Sequence, residues 1–166
     1  MTSDDERFLL RAIEVAAASR AHGNHPFGAI IVSADGTELA AAENTVVTDR
    51  DPTGHAETNV VRRAAALVDS AELASATLYT STEPCAMCSG AIYWAGIGAV
   101  VFALSETELL AMTGTDPENP TMSLPCRSVF DHGQRAVTVR GPMPLAGAQA
   151  VHEGFWGGRP ADVVVH

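Results

Sequence analysis

Four residues in two short clusters carry the chemistry open to this chain. His55-Ala56-Glu57 sets an imidazole two positions before a carboxylate, and Pro84-Cys85-Ala86-Met87-Cys88 sets two thiols three positions apart. One His and two Cys are donors of the kind Zn²⁺ takes in tetrahedral geometry, and a catalytic zinc keeps its remaining position open. Glu57 is not needed as a ligand. A carboxylate beside such a site is placed to move the protons of a water held there. Two thiolates cancel the formal charge of the ion and weaken its pull on water, so a separate base is required.

The spacing also dictates how these residues are presented. Cys85 and Cys88 stand at i and i+3 and share a face of a first helical turn. His55 and Glu57, at i and i+2, lie roughly 200° apart around a helix, so they meet only beyond its end. The metal is therefore predicted in front of two helix N-termini. Each contributes roughly half an elementary positive charge, which favours the thiolate forms of the cysteines.

Elements able to do this succeed one another along the chain. Helical spacing covers 8–18, after the acidic start Ser3-Asp4-Asp5-Glu6. A continuous apolar run at 28–33 reads as a buried strand, Asp35-Gly36 as a hairpin turn and 38–44 as the returning strand. A helix is predicted from about His55 to Val68, a strand over 76–81, a helix over 85–95 and a strand over 98–104. Residues 113–125, with three prolines, read as a loop, 136–140 as a fifth strand and 145–156 as a closing helix. Alternation of this kind gives an α/β domain with helices on both faces of a sheet. With no internal repeat or low-complexity linker, residues 1–166 read as a single domain.

Composition narrows the partners. The formal net charge is -10, all ten basic residues are Arg, and 20 residues are acidic. A protein that grips nucleic acid neutralises phosphates with a basic surface, so no nucleic-acid partner is expected. No apolar run reaches membrane-span length, so no membrane partner is expected, and the acidic N-terminus lacks a secretory profile. A cytoplasmic enzyme is the simplest reading, in which three cysteines favour metal or catalysis over disulfides.

Two other readings of the motif stay open. A structural zinc site would need a fourth protein ligand, and Cys126 is the remaining Cys. A redox Cys-x-x-Cys pair would leave His55 and Glu57 without a task. Elsewhere, His22, His25, His132, His152 and His166 read as surface or turn residues. Trp94 reads as core or as pocket lining, Phe155-Trp156 as packing for the last helix, and Glu83 as a buried acid beside the site.

The pattern H-x-E…P-C-x-x-C is the signature of zinc deaminases. Over about 8–156 the chain resembles the cytidine deaminase-like superfamily, and within it the bacterial guanine deaminases of the free-base branch. The resemblance is carried by Asn24-His25-Pro26-Phe27-Gly28-Ala29, Asn44, Asp51-Pro52-Thr53-Gly54-His55-Ala56-Glu57, Thr82-Glu83-Pro84-Cys85-Ala86-Met87-Cys88 and Gly90-Ala91-Ile92-Tyr93-Trp94-Ala95. It implies a three-layer α-β-α sandwich around a five-stranded mixed sheet. It also implies a homodimer or higher oligomer, and a C-terminal segment that crosses to the partner's site.

By the same resemblance His55, Cys85 and Cys88 bind one Zn²⁺ per chain and Glu57 shuttles protons. Asn44 hydrogen-bonds the base, while Phe27 and Trp94 flank it. The implied reaction is hydrolytic deamination of a small free nucleobase, guanine to xanthine first, with s-triazines also fitting. Cytosine, nucleoside and tRNA adenosine deamination are the alternatives. Two departures stand out. Gly54 replaces the usual Ala before the His. The stretch 113–126 does not follow the guanine deaminase pattern that supplies a purine-contacting acid, which leaves Asp116, Glu118 and Glu153 as candidates.

Overall fold

The computed structural model describes residues 3–157. Its centre is a five-stranded sheet in the order β2-β1-β3-β4-β5, formed by β1 (Gly28–Val32), β2 (Glu38–Glu43), β3 (Thr77–Thr82), β4 (Ala99–Leu104) and β5 (Thr138–Arg140). β1 pairs antiparallel with β2 and β3, whereas β3–β4 and β4–β5 are parallel, so the sheet is mixed. Parallel neighbours require crossovers, and here helices supply them.

Strand alternation divides the core into two layers. Ala29, Ile31, Leu78, Val100 and Phe102 face α2 (Ala56–Ala65), α3 (Ser70–Ser75) and α4 (Ala86–Ala95). The intervening Ile30, Val32, Tyr79, Val101 and Ala103 face α1 (Ser3–Ala21), α5 (Glu106–Thr113) and α7 (Ala146–Ala150). Both faces being covered explains why β1 reads as an unbroken apolar run. The three-layer sandwich with a five-stranded mixed sheet is thus the architecture found.

Gly28 sets the closest approach in the second layer. A Cβ there would lie 2.4 Å from Ala16 N and 2.5 Å from Ala12 O, so the α1 backbone rests directly on the start of β1. This packing fixes Phe27, the residue just before it, at the end of β1 nearest the site.

Three helices were not expected from the sequence. α3 is started by Asp69, whose carboxylate accepts from Ala71 N and Glu72 N. α5 is started by a reciprocal capping box between Ser105 and Glu108. α6 (Cys126–Phe130) is a short helix that begins directly after Pro125, the last residue of the proline-rich loop. The predicted closing helix is shorter than expected: α7 ends at Ala150, and 151–157 continue as turns. Phe155 and Trp156 therefore lie beyond α7, and the expectation for His166 lies outside the described residues.

Candidate active site

His55 and Cys85 are themselves the N-cap residues of α2 and α4, with extended backbone at φ −71°, ψ 149° and φ −64°, ψ 171°. Neither side chain caps its own helix. Both turn toward each other instead. His55 Nδ1 lies 3.6 Å from Cys85 Sγ and 3.6 Å from Cys88 Sγ. The three ligand atoms all fall within 4.8 Å of one another. Tetrahedral zinc, with Zn–S of about 2.3 Å and Zn–N of about 2.0 Å, puts nitrogen and sulfur about 3.5 Å apart. The donor set and its spacing therefore fit a metal ion held in front of two helix N-termini.

The thiols differ. The neighbouring Cys88 thiol, with help from His55, holds Cys85 below the ordinary thiol range, while Cys85 and burial push Cys88 up. Metal binding requires both as thiolates. Cys126 is no part of this group: it is buried at the start of α6, and burial followed by the charge of Glu83 pushes its thiol up to about 12. Among the described residues the metal-capable cluster is His55, Cys85 and Cys88. Three protein ligands are the complement of a catalytic zinc, whereas a structural site closes with four.

Glu57 is the second residue of α2 and is 5% exposed. Its Oε1 accepts a 2.8 Å hydrogen bond from Thr80 Oγ1, and its Oε2 a 3.4 Å bond from Cys88 Sγ. Burial first, and the negative charge of Cys85 second, push its carboxyl above the usual range. A carboxylate with raised proton affinity next to a metal-ligand set has the properties of a general base.

A cavity of ≈ 480 Å³ opens on this cluster, within the ~300–1,000 Å³ range of small-molecule sites. Phe27, Asn44, His55, Glu57 and Cys85 all line it. Asn44 is fixed by Val46 N, which donates to its Oδ1 at 3.0 Å. That bond turns its amide NH₂ to the cavity as a donor. Trp94 is not in the wall. It lies near the far end of α4, 85% exposed, with its ring edge-on to Tyr93. The face of α4 that turns inward carries Cys88, Ser89 and Ile92, and Trp94 is out of phase with it. The flat walls come from Phe27 and from apolar groups the sequence did not single out, Met87, Leu109 and Met122.

The loop 114–125 supplies the opposite wall, and of the three candidate acids Glu118 is the one that reaches the cavity. Asp116 instead accepts from Glu118 N and Gly157 N, stitching the loop to the C-terminal turns, and Glu153 is exposed. Glu118 Oε2 lies 3.0 Å from His25 Nε2. His25 is buried and lines the cavity, which corrects its assignment as a surface residue.

His152 lies in the C-terminal turns, as expected, but not at the surface. It is fully buried, contacts Phe27 and stacks on Trp156, whose Nε1 donates to its Nδ1. Burial, then Arg20, push it down to about 4, so the ring is neutral. Residues 151–157 thus pack beside Phe27 and His25 of their own chain. Gly54 also finds its reason here. A Cβ would lie 2.8 Å from Thr45 Oγ1, which occupies the space of an alanine methyl and accepts from Asn59 Nδ2.

Glu83, buried and in the cavity wall, clasps this end of the molecule. Its Oε2 accepts from Glu106 N and its Oε1 from Cys126 N, the first residues of α5 and α6, and so both ends of the connection that carries Glu118 are tied to it. Replacing it by Gln would turn one acceptor into a donor facing a backbone N–H. Glu83→Gln is expected to cost about 1–3 kcal/mol, read as a lowered Tm, with the metal content unchanged.

Four carboxylates, Glu57, Glu83, Glu106 and Glu118, line the cavity, and among the described residues no Arg does. Glu106 is pushed up to about 7 by burial and then by the charges of Cys85 and Glu57.

Residues 2–104 match the family described as the cytidine and deoxycytidylate deaminase zinc-binding region. Over 160 residues the chain is 40% identical to a probable cytosine deaminase of Schizosaccharomyces pombe, spanning 95% of this chain and 96% of that one. It is 45% identical over 104 residues to the guanine deaminase of Bacillus subtilis, 62% of this chain and 66% of the relative. The solved structure of a substituted NE0047 protein in complex with 8-azaguanine superposes with a TM-score of 0.75 at 28% identity, covering 89% of this chain and 81% of that one. With a His-Cys-Cys group able to hold a metal ion, an adjoining buried carboxylate and this kinship, the chain belongs to the cytidine and deoxycytidylate deaminase family and is a deaminase, a hydrolase of C–N bonds.

Proposed function

We propose that this deaminase acts on a free amino-substituted nucleobase, guanine before others, releasing xanthine and ammonia with one zinc per chain. The observation that carries the reading is the cavity itself: His55, Cys85 and Glu57 lie in a wall lined by acids and apolar groups, Cys88 is buried behind them, and among the described residues no Arg lines the cavity to receive a phosphate. Related solved structures hold 8-azaguanine and 2,6-diaminopurine, which supports a purine.

Zinc held by His55, Cys85 and Cys88 would supply Lewis-acid activation of the attacking water. Glu57 takes a proton from that water as its oxygen adds to the ring carbon bearing the amine. It passes the proton to the adjacent ring nitrogen, then assists protonation of the amine, which leaves as ammonia. The amide NH₂ of Asn44 meets an acceptor on the base, Glu118 meets an N–H, and Phe27 covers the ring.

Cytosine is the second reading, favoured by the relative that matches this chain end to end. The test is ammonia release from guanine, cytosine, adenine, s-triazines, nucleosides, dCMP and tRNA under one set of conditions. Guanine is expected to give the highest kcat/KM, with dCMP and tRNA inert. Cytosine ranking first would replace the substrate, and a salt-sensitive tRNA complex would overturn the free-base reading.

The same reading takes residues 1–166 as one domain and places it in the cytoplasm, where its free cysteines stay reduced. It also takes a homodimer. Met87 and Trp94, exposed on one face of α4, and Met122 and Leu124 offer the apolar surface a second copy would cover.

A further inference from the structure

Glu57 is held by a residue outside both motif clusters. On β3 the side chains alternate, so that Leu78, Thr80 and Thr82 face α2 and α4, while Tyr79 faces α1 and Ser81 accepts from Gly28 N. Thr80 is wholly buried in that first layer, paired across the sheet with Ala29 on β1 and Phe102 on β4. Its neighbours there are apolar, and Val has the same shape. A hydroxyl buried at such a position costs free energy unless it is hydrogen-bonded.

Two acceptors lie within reach of its single proton: Glu57 Oε1 at 2.8 Å and Thr82 O at 3.0 Å. An ionised carboxylate is the stronger acceptor, and bonds to it are roughly twice as strong as neutral ones. The Thr82 carbonyl offers only a local i to i+2 contact, which gives no reason for a hydroxyl facing α2.

The other side-chain donor to Glu57 is the thiol of Cys88, 3.4 Å from Oε2. A cysteine that ligates a metal does so as thiolate and has no proton to give. Once the metal is held, Thr80 is the side-chain donor that still fixes the carboxylate. We propose that Thr80 is the positioning residue of this active site: its hydroxyl pins Oε1 of Glu57 against β3 and leaves Oε2 as the oxygen that exchanges protons with water and base. The proposal rests on the assignment of Glu57 as general base, and it makes the strand that leads into Glu83-Pro84-Cys85 responsible for both a metal ligand and the aim of the base.

Thr80→Val and Thr80→Ser test it, with guanine and cytosine as substrates and 8-azaguanine as the binding probe. Misplacement of a catalytic group by about 1 Å costs up to roughly 10²-fold. Thr80→Val is therefore expected to lower kcat about 10- to 100-fold, with KM, 8-azaguanine affinity and zinc content unchanged, while Thr80→Ser stays within a few-fold of wild type. In crystals of the zinc-loaded protein, where Cys88 has no proton to donate, Glu57 is expected to keep in wild type the orientation it has here and to leave it in Thr80→Val.

Wild-type turnover in Thr80→Val would overturn the proposal, as would equal loss in Val and Ser, or a loss carried by KM or zinc content. Failure of wild type on both bases would overturn the substrate assignment alone. The orientation of Glu57 would then decide the role of Thr80: an unchanged carboxylate in Thr80→Val would end it.

Discussion

Glu57→Gln is expected to keep its metal and lose ~10²–10⁴ of its rate, the share of a general acid–base group. Gln has the same shape, and its carbonyl still accepts from Thr80 Oγ1, so the wall of the cavity is preserved. The metal stays because Glu57 is not one of the ligand atoms. What disappears is the site that takes a proton and gives it back. Steady-state ammonia release with metal analysis on the same sample reads both quantities. Near-normal turnover with full metal would rule out Glu57 as the shuttle. The substitution also relieves burial of a charged group, so its Tm is expected to equal or exceed that of wild type. A loss of rate accompanied by a collapse of Tm would point to a structural role for the carboxylate instead.

The convergence of His55, Cys85 and Cys88 was legible in the sequence because its geometry is local. A Cys pair at i and i+3 on a first turn, and a His at the start of another helix, have few ways to converge, and the structure places His55 and Cys85 at the two N-caps. Strands β1 and β4 were legible because burial on both faces leaves continuous apolar runs, and β2 because the Asp35-Gly36 turn announces a returning strand. What the sequence did not show are the pairings made across the fold. Thr80 reaches Glu57 over 23 residues, Glu83 reaches Cys126 over 43 and His25 reaches Glu118 over 93. No spacing rule connects such residues, because the connection exists only after the sheet and loop 114–125 are in place.

The outward position of Trp94 has a different cause. Its type suits a pocket wall, but it stands six residues past Cys88, about 240° around the helix, and helical phase alone turns it outward. Helix α5 was also within reach: Ser105 and Glu108 form the capping box that starts it, a signal present in the primary structure. Helix α6 has five residues and no side-chain cap, so nothing local announces it.

Cys85→Ala and Cys88→Ala are expected to lose the metal and, with it, detectable turnover, while Cys126→Ala keeps both. Three protein ligands are the complement of a catalytic zinc site, and the third Cys lies outside the cluster as a neutral buried thiol. The two ligand variants should differ in stability. Cys88 is fully buried and Cys85 half-buried, so Cys88→Ala also empties buried space behind the site and costs about 1 kcal/mol more. Neither variant is expected to unfold outright. Metal binding adds to folding free energy wherever the site forms only in the folded state. Here, however, α2 and α4 are also held by Val60, Val61, Ala64 and Ile92 against the sheet, contacts that do not depend on the ion. A lowered Tm with retained helical circular dichroism is the expected signature, reproduced in wild type by a chelator. Retention of one zinc per chain in Cys88→Ala, or its loss in Cys126→Ala, would break the ligand assignment and with it the route by which water is activated in this site.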